Sequence, residues 1–465
     1  MKNIKIEKLF VFIAFIIGCL FIYIIPPFQS PDEDSHFKKA YSISKLEVYQ
    51  TKDDGVVGLN IPNEMSEYIN EKLNWSNDRE KKYSYSDLYL DQLNGADFSS
   101  KKVVPVSTSE ITPVAHMVPA FGIALSRLFA PIFISDGSPS TAYMLSFARF
   151  ASLMFYLVVG YYAIKITPAF KKSMFAILLF PMSIFLGSMV TYDSILISCV
   201  LLSVAVILKL IYDDKFQFNK TVFALLSILG YILLNIKIIY FPILFLLYFV
   251  PNEKFKERRK IKTYLQLLGI ILLFTILLKI PNFITSVAGD KLVDKQTSYI
   301  FGHPFELIKI IINNSINQFK IQLYWMTGTF GLLDTYLPPL FVVLSLLNML
   351  IIFTIDGIFE KIKINNSMKF VVVFYIIFAV FAMYVVMYQR WTPQVTGIVG
   401  GKDITGVQGR YYLPLLIGLP MLLSVSKIKK DKVPGVLHDY FDKGVLIIVA
   451  TLCVSIVVCL TRFWI

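Results

Sequence analysis

Charge is scarce in this chain. Only 17% of its 465 residues are charged while 56% are hydrophobic, and a soluble surface requires about a quarter charged residues. A soluble multidomain enzyme, a secreted domain and a disordered chain are excluded together. Cysteine is scarce too. Cys19, Cys199, Cys453 and Cys459 all lie in apolar runs and none forms a CxxC pair, so neither a disulfide framework nor a thiolate metal site is indicated. They read as small packing residues. HExxH, Walker, GxSxG and GxGxxG patterns are lacking, which argues against an ATP-driven pump or a nucleotide-sugar enzyme working inside the cell. His116, His303 and His438 are isolated on different segments.

What is abundant is apolar sequence. Strong runs fall at about 9–25, 141–163, 173–190, 194–211, 221–235, 238–250, 263–280, 338–355, 369–388, 411–426 and 444–461. Recurrence near 20 residues marks a polytopic membrane protein, and the pattern predicts an all-α membrane domain of about eleven spans. The first run follows Lys2, Lys5 and Lys8 and leads into Pro26-Pro27-Phe28 without a small-residue cleavage site, so it reads as a retained helix. A further run at 113–133 carries Pro113, Pro119, Pro131, His116 and Arg127. Proline removes a helix donor, so this run reads as re-entrant or interfacial.

The formal net charge of +13 follows from topology rather than from nucleic acid. With 113–133 not crossing and the N-terminus inside, Lys165, Lys171, Lys172, Lys215, Lys220, Lys361, Lys363, Lys427, Lys429, Lys430, Lys432 and the basic cluster at 254–262 all fall on cytoplasmic loops, as the positive-inside rule requires. The C-terminus is then outside. The long polar segments also face outward: 26–112, which reads as a small extracellular lobe with residues 60–100 unassigned, then 281–337 and 389–410. Chemistry is expected on that face. Within 304–324, Glu306, Lys309, Asn313, Asn317 and Lys320 recur every three or four residues, the stripe of an amphipathic helix on the membrane surface or packed on the membrane domain. A shorter interfacial helix is expected at 434–443.

Five segments offer chemistry. Just beyond the first run, Pro26, Pro27 and Pro31 stiffen a turn that presents Asp32, Glu33 and Asp34, with His36 behind; such acids could act as a general base or bind a metal, or form a solvated loop. Asp193, in Thr191-Tyr192-Asp193-Ser194, could favour a helix N-terminus or meet the first acids. Lys237 lies in a nearly continuous apolar stretch, where an ionisable residue is a functional candidate, a phosphate-holding point charge or a snorkelling lysine. The segment 397–412 has five glycines, Lys402, Asp403 and Arg410; Gly-rich backbone beside an arginine suits phosphate, though a flexible loop reads the same way. Arg390 and Trp391 add a cation and a stacking surface nearby. The fifth segment, 327–335, has no chemistry readable from residue types.

In order along the chain, PPFQSPDEDSHF, TYDS, NIKIIYFP, GTFGLLDTYLP and VQGRYYLPLL resemble the hallmark segments of the bacterial membrane-protein family called domain of unknown function 2142, over nearly the whole chain. That resemblance implies a relationship to the C-type (GT-C) glycosyltransferases, polytopic enzymes with an acidic site in the first outer loop that use polyprenyl-phosphate sugars on the outer face. It implies Asp32 as the base that deprotonates an acceptor hydroxyl. Glu33 would assist, orient the acceptor or bind a divalent metal such as Mg or Mn. Lys237 and Arg410 would neutralise the departing lipid phosphate, with Asp193 as a second acid. Apart from the resemblance, the few cations expected on the outer face, Lys237, Arg390, Lys402 and Arg410, face the acidic first loop and mark where a lipid phosphate would bind.

The expected function is sugar transfer from a polyprenyl-phosphate donor to a cell-envelope polysaccharide, in the lipid bilayer and without nucleic acid. A polymerase or ligase using a lipid-diphosphate glycan is an alternative. A lipid-linked glycan transporter is another, but it would need charged mid-span residues. The apolar runs are almost free of them, with Lys209, Lys279 and Asp356 near ends.

Overall fold

The computed structural model describes residues 4–75, 78–93, 98–108, 111–134, 137–255, 259–285, 291–359, 362, 364–424 and 440–465. Lys361, Lys363, Lys427, Lys429, Lys430, Lys432, His438, the middle of the 254–262 cluster and most of the expected helix at 434–443 lie outside the described residues.

The fold is helical, and among the described residues seven helices are long and apolar enough to cross a membrane: Ile6–Ile24, Thr141–Ile166, Asp193–Tyr212, Lys260–Ile280, Pro339–Ile358, Asn366–Thr396 and Tyr440–Phe463. The other four apolar runs are shorter or broken, and proline explains three of them. Run 173–190 divides at Pro181 into Lys171–Leu178 and Pro181–Gly187. Run 238–250 contains Pro242 and winds as the 3-10 helix Ile238–Phe249. Run 411–426 becomes a 3-10 turn, Gly409–Leu415, with Pro414 inside it, and the short helix Gly418–Leu423. A ring nitrogen without a hydrogen cannot continue the α ladder. The fourth, Lys220–Ile236, has 17 residues, about 26 Å at 1.5 Å per residue and slightly short of a hydrocarbon core of about 30 Å.

The segment 113–133 forms the 3-10 turn Pro113–Ala115 and the helix Met117–Phe133. Its prolines interrupt less than expected, because Pro119 falls in the first turn and Pro131 in the last. Gly122 seats the helix on Thr141–Ile166: a Cβ there would lie 2.4 Å from the Phe147 carbonyl oxygen. Further along, Ala130 and Ile134 pack on Tyr143. The helix thus packs along the first three turns of its neighbour, from Tyr143 to Ala151. Met117, Phe121, Leu128, Ile132 and Phe133 are exposed on its other side.

The first polar segment adds a small sheet to the helical fold. Strands Thr51–Asp53, Val56–Pro62 and Lys101–Val104 pair antiparallel in that order, with Thr51 opposite Gly58 and Leu59 opposite Val104. Helices Asn63–Trp75 and Tyr85–Leu93 complete the lobe. Asp54-Gly55, both at positive φ, turn the first hairpin as such a pair should. Leu59, Ile61, Met65 and Ile69 bury against Phe28, Phe37 and Tyr41 and against Met144, Leu145 and Ala148 of the long helix Thr141–Ile166. The lobe and the end of the bundle therefore share one core.

The first and last long helices run in the same direction. Trp464 Nε1 donates to the Ile24 carbonyl at 2.8 Å, and Lys82 Nζ to the Thr461 carbonyl at 2.8 Å, so both helices finish at the lobe. At the far end, lysines cap chain carbonyls: Lys254 on Asp213 at 2.6 Å, Lys260 on Val250 at 2.7 Å and Lys369 on Ser424 at 2.6 Å. Cations there meet the negative ends of the backbone dipoles.

Candidate functional site

The site forms where the first long helix leaves the bundle. After Ile24 the chain passes Pro26 and Pro27, turns at Phe28 (φ 62°), passes Pro31 and turns again at Asp32 (φ 59°). Both residues are in the left-handed region, uncommon outside glycine, though aspartate tolerates it better than most. Phe28 is fully buried in the lobe core, which holds the turn in place. Asp32 occupies the N-cap of Glu33–Ser44, yet its carboxylate makes no capping bond. Its Oδ2 instead accepts from Arg410 Nη2 at 2.5 Å, and its side chain is 50% exposed.

Arg410 reaches Asp32 because a separate structure positions it. Helix Pro304–Asn317 carries Asn314, helix Phe319–Gly328 carries Gln322, and Gln318 is the cap residue between the two helices, so the three amides are spaced four residues apart. Their side-chain amides donate to the backbone carbonyls of Lys402, Ile404 and Val407 at 2.8, 2.8 and 2.9 Å, and Asn314 Oδ1 accepts from Ile404 N–H at 2.9 Å. This ladder lashes the Gly-rich segment to the helices. Gly409 then passes so close that a Cβ would lie 2.3 Å from the Gln322 carbonyl oxygen. Arg410 follows, only 2% exposed, with its Nε 3.5 Å from Asp193 Oδ2. Asp193 opens the helix Asp193–Tyr212, its N–H held by Thr191 Oγ1 at 2.8 Å.

Lys237 closes the cluster. It lies between Lys220–Ile236 and Ile238–Phe249, its Nζ 3.2 Å from the centre of the Tyr411 ring and 5.1 Å from that of Tyr192. Burial pushes its pKa down to about 7, opposed by Asp193 and Asp32. Burial alone would raise the Asp32 pKa, but Arg410, His36 and Lys237 outweigh it and hold that carboxyl below its ordinary value. Lys237 Nζ and Arg410 Nε and Nη1 are buried without a hydrogen-bond acceptor among the described residues. Buried cationic donors left unsatisfied are costly, and their convergence beside a half-exposed acid is the arrangement that an incoming anion could satisfy.

His36 lies one turn beyond Asp32 and is joined to His116, its Nδ1 2.8 Å from His116 Nε2. Its ring packs edge-on to Tyr192 with centroids 4.7 Å apart. Burial pushes the His36 pKa down to about 4 and holds His116 well below the ordinary imidazole value, which favours the neutral form of both rings.

Not every expected residue joins the cluster. Glu33 is fully buried and turned the other way. Arg149 Nε and Nη2 donate to its two oxygens at 2.9 and 2.6 Å, and Val190 N–H donates to Oε1 at 3.0 Å. Asp32 and Glu33 therefore do not converge as metal ligands, and no group of three His, Cys, Asp or Glu side chains among the described residues is placed to hold a metal ion. Asp34 pairs with Lys38 at 3.4 Å. Arg390 and Lys402 are exposed, and neither bonds to Asp32, Asp193 or Arg410. In the Gly-rich segment the amide ladder takes the carbonyls of Lys402, Ile404 and Val407 and the N–H of Ile404. Segment 327–335 is a hairpin of Thr329–Phe330 with Thr335–Tyr336, whose Asp334 holds Arg462 of the last helix at 3.2 Å.

Sequence reasoning missed Arg149, His116 and the tyrosines Tyr192 and Tyr411. Arg149 corrects the expectation that charges stay near span ends: it lies well inside Thr141–Ile166 and is 3% exposed. An arginine inside an apolar run is itself a signal that a buried partner exists.

The model of the family described as "Predicted membrane protein (DUF2142)" matches residues 15–419, a span that includes every member of the cluster. The chain belongs to this family. Neither the curated proteins nor the solved structures contain a match.

Proposed function

We propose that this DUF2142 membrane protein is a glycosyltransferase of the GT-C type. It moves a sugar from a polyprenyl-phosphate donor to a cell-envelope polysaccharide on the outer side of the membrane, the side the lobe faces. The observation that carries the reading is the pairing of a half-exposed Asp32 with unsatisfied buried cationic donors on Arg410 and Lys237. A sugar phosphate ester needs both. Its phosphate leaves as an anion, and preorganised cations aimed at that developing charge lower the barrier, each such donor contributing about 10²–10³ in rate.

In this reading Asp32 takes the proton of an acceptor hydroxyl while the acceptor oxygen bonds to the anomeric carbon. The bond from that carbon to the phosphate oxygen breaks, and its electron pair leaves on the phosphate held by Arg410 and Lys237. A single displacement inverts the anomeric centre. Asp193 keeps Arg410 oriented. Glu33 serves by fixing, with Arg149, the turn that presents Asp32.

The exposed apolar stripe of Pro304–Asn317 supports a site at a lipid surface. Phe305, Ile308, Ile312 and Ile316 are exposed along one line, distinct from the buried Leu307, Ile310, Ile311 and Asn314 and from the polar stripe that begins at Glu306. A helix with three such faces lies along a membrane interface rather than only against protein. The test is the envelope polysaccharide of a deletion strain. Loss of a side-chain sugar, restored by the wild-type chain but not by Asp32→Asn, supports the proposal, and an unchanged polysaccharide contradicts it.

A further inference from the structure

We infer that Asp32 is a built-in occupant of the phosphate seat on Arg410, so that donor binding and release of the base are one exchange. The inference rests on the proposed function for the identity of the anion as the phosphodiester of a lipid-linked sugar.

Arg410 is a buried guanidinium with five N–H donors in a fixed fork. Carboxylate and phosphate are the anions that fit such a fork. Its two acids hold it differently. Asp193 is 5% exposed and anchored through Thr191, and it touches Arg410 only at 3.5 Å. Asp32 is half exposed, makes no capping bond, and meets Nη2 at 2.5 Å. Asp32 is therefore the exchangeable partner. Next to it, Arg410 Nη1 and Lys237 Nζ lack acceptors among the described residues, donors that the single contact of Asp32 to Nη2 leaves over and that the two non-bridging oxygens of a donor phosphodiester can use, with a third oxygen freed when the lipid phosphate departs.

A phosphate that takes Nη1 and Nη2 displaces the Asp32 carboxylate from its cation. The carboxylate then regains the proton affinity that Arg410 suppresses, at the moment the donor is in place. Before that it is masked. Such a closed state also weakens the apparent affinity for the phosphate by the fraction of molecules in which Arg410 is free.

The test measures binding of farnesyl phosphate, which carries the donor's lipid phosphate without its sugar, to the full-length protein in detergent, with farnesol and inorganic phosphate as companions. The variants are Asp32→Asn and Asp32→Gly. Both residues accept the left-handed backbone at position 32, so monodisperse folded protein is expected from each. With the competing anion gone, both should bind farnesyl phosphate about threefold or more tightly than wild type, since the closed fraction no longer reduces affinity. Equal or weaker binding in the variants overturns the inference, and if the two disagree the glycine variant decides, because it leaves nothing to compete. Unchanged affinity together with lost sugar transfer in Asp32→Asn would overturn the exchange and leave the transferase reading standing. Gains equal for inorganic and farnesyl phosphate would keep the exchange and overturn the lipid donor.

Discussion

Asp32 and Glu33 are neighbours in the chain and point to different arginines. Asp32 meets Arg410, which arrives 378 positions later, at 2.5 Å, with its side chain half exposed. Glu33 meets Arg149 at 2.6 Å with no exposure at all. The first pair is accessible and shares its cation with Asp193. The second is sealed, and Arg149 also donates to the Ile25 and Pro26 carbonyls at 2.6 and 3.0 Å. One acid is open to solvent and the other ties the turn to the bundle.

Removing one partner of the sealed pair should be severe. Arg149→Met leaves Glu33 as an uncompensated buried charge, a loss of about 3–5 kcal/mol. Thermal unfolding in detergent should show a large fall in Tm for that variant. The double variant Glu33→Gln/Arg149→Met should recover much of it, because no buried charge is left alone.

Lys237 predicts a pH dependence. Its pKa is pushed down to about 7 by burial, and the protonated form binds an anion better. As pH rises through 7, binding must also supply a proton, so affinity for farnesyl phosphate should fall by up to tenfold per pH unit. Lys237→Met should bind more weakly at pH 6 and lose this slope between pH 7 and 9. The same burial makes a linked stability statement. The unfolded lysine keeps its proton to about pH 10.4 while the folded one releases it near 7, so the unfolded state binds more protons in that window and stability rises with pH across it.

The amide ladder predicts a split between folding and placement. Gln318→Leu or Gln322→Leu removes a bond to the backbone that carries Arg410, a stability loss of about 1 kcal/mol. The sugar-transfer rate should fall much further than that, by about tenfold or more, because small misplacement of a charged group degrades transition-state contacts. Parallel measurement of Tm and of kcat/KM checks it. Equal losses in both would mean the ladder only holds the fold together.

Much of this was legible in sequence, and the rest was hidden for identifiable reasons. Apolar runs located the membrane helices, but Pro181, Pro242 and Pro414 broke runs that hydropathy alone counts as whole. Asp32 stood out in an acid run behind prolines, Asp193 as a lone acid at a helix start, Lys237 as a charge in an apolar stretch and Arg410 beside a Gly-rich segment, and the fold brings these four together. Glu33 looked equivalent to Asp32, since only burial and Arg149 distinguish them. The glycines of 397–412 suggested a phosphate cradle. The backbone between them, at Lys402, Ile404 and Val407, is tied to Asn314, Gln318 and Gln322, whose four-residue spacing was visible while their target was not. His116 seemed isolated because its partner, His36, lies 80 residues away.

The most direct measurement is release of polyprenyl phosphate from a polyprenyl-phosphate sugar by the purified protein in liposomes, with an envelope glycan as acceptor. The wild-type chain should release lipid phosphate and sugar-modified glycan in equal amounts. Asp32→Asn should lower that rate by about 10²–10⁴, the usual contribution of a positioned general base, while inserting and folding normally. Full activity in Asp32→Asn, or no release by the wild-type chain from any such donor, would contradict the account.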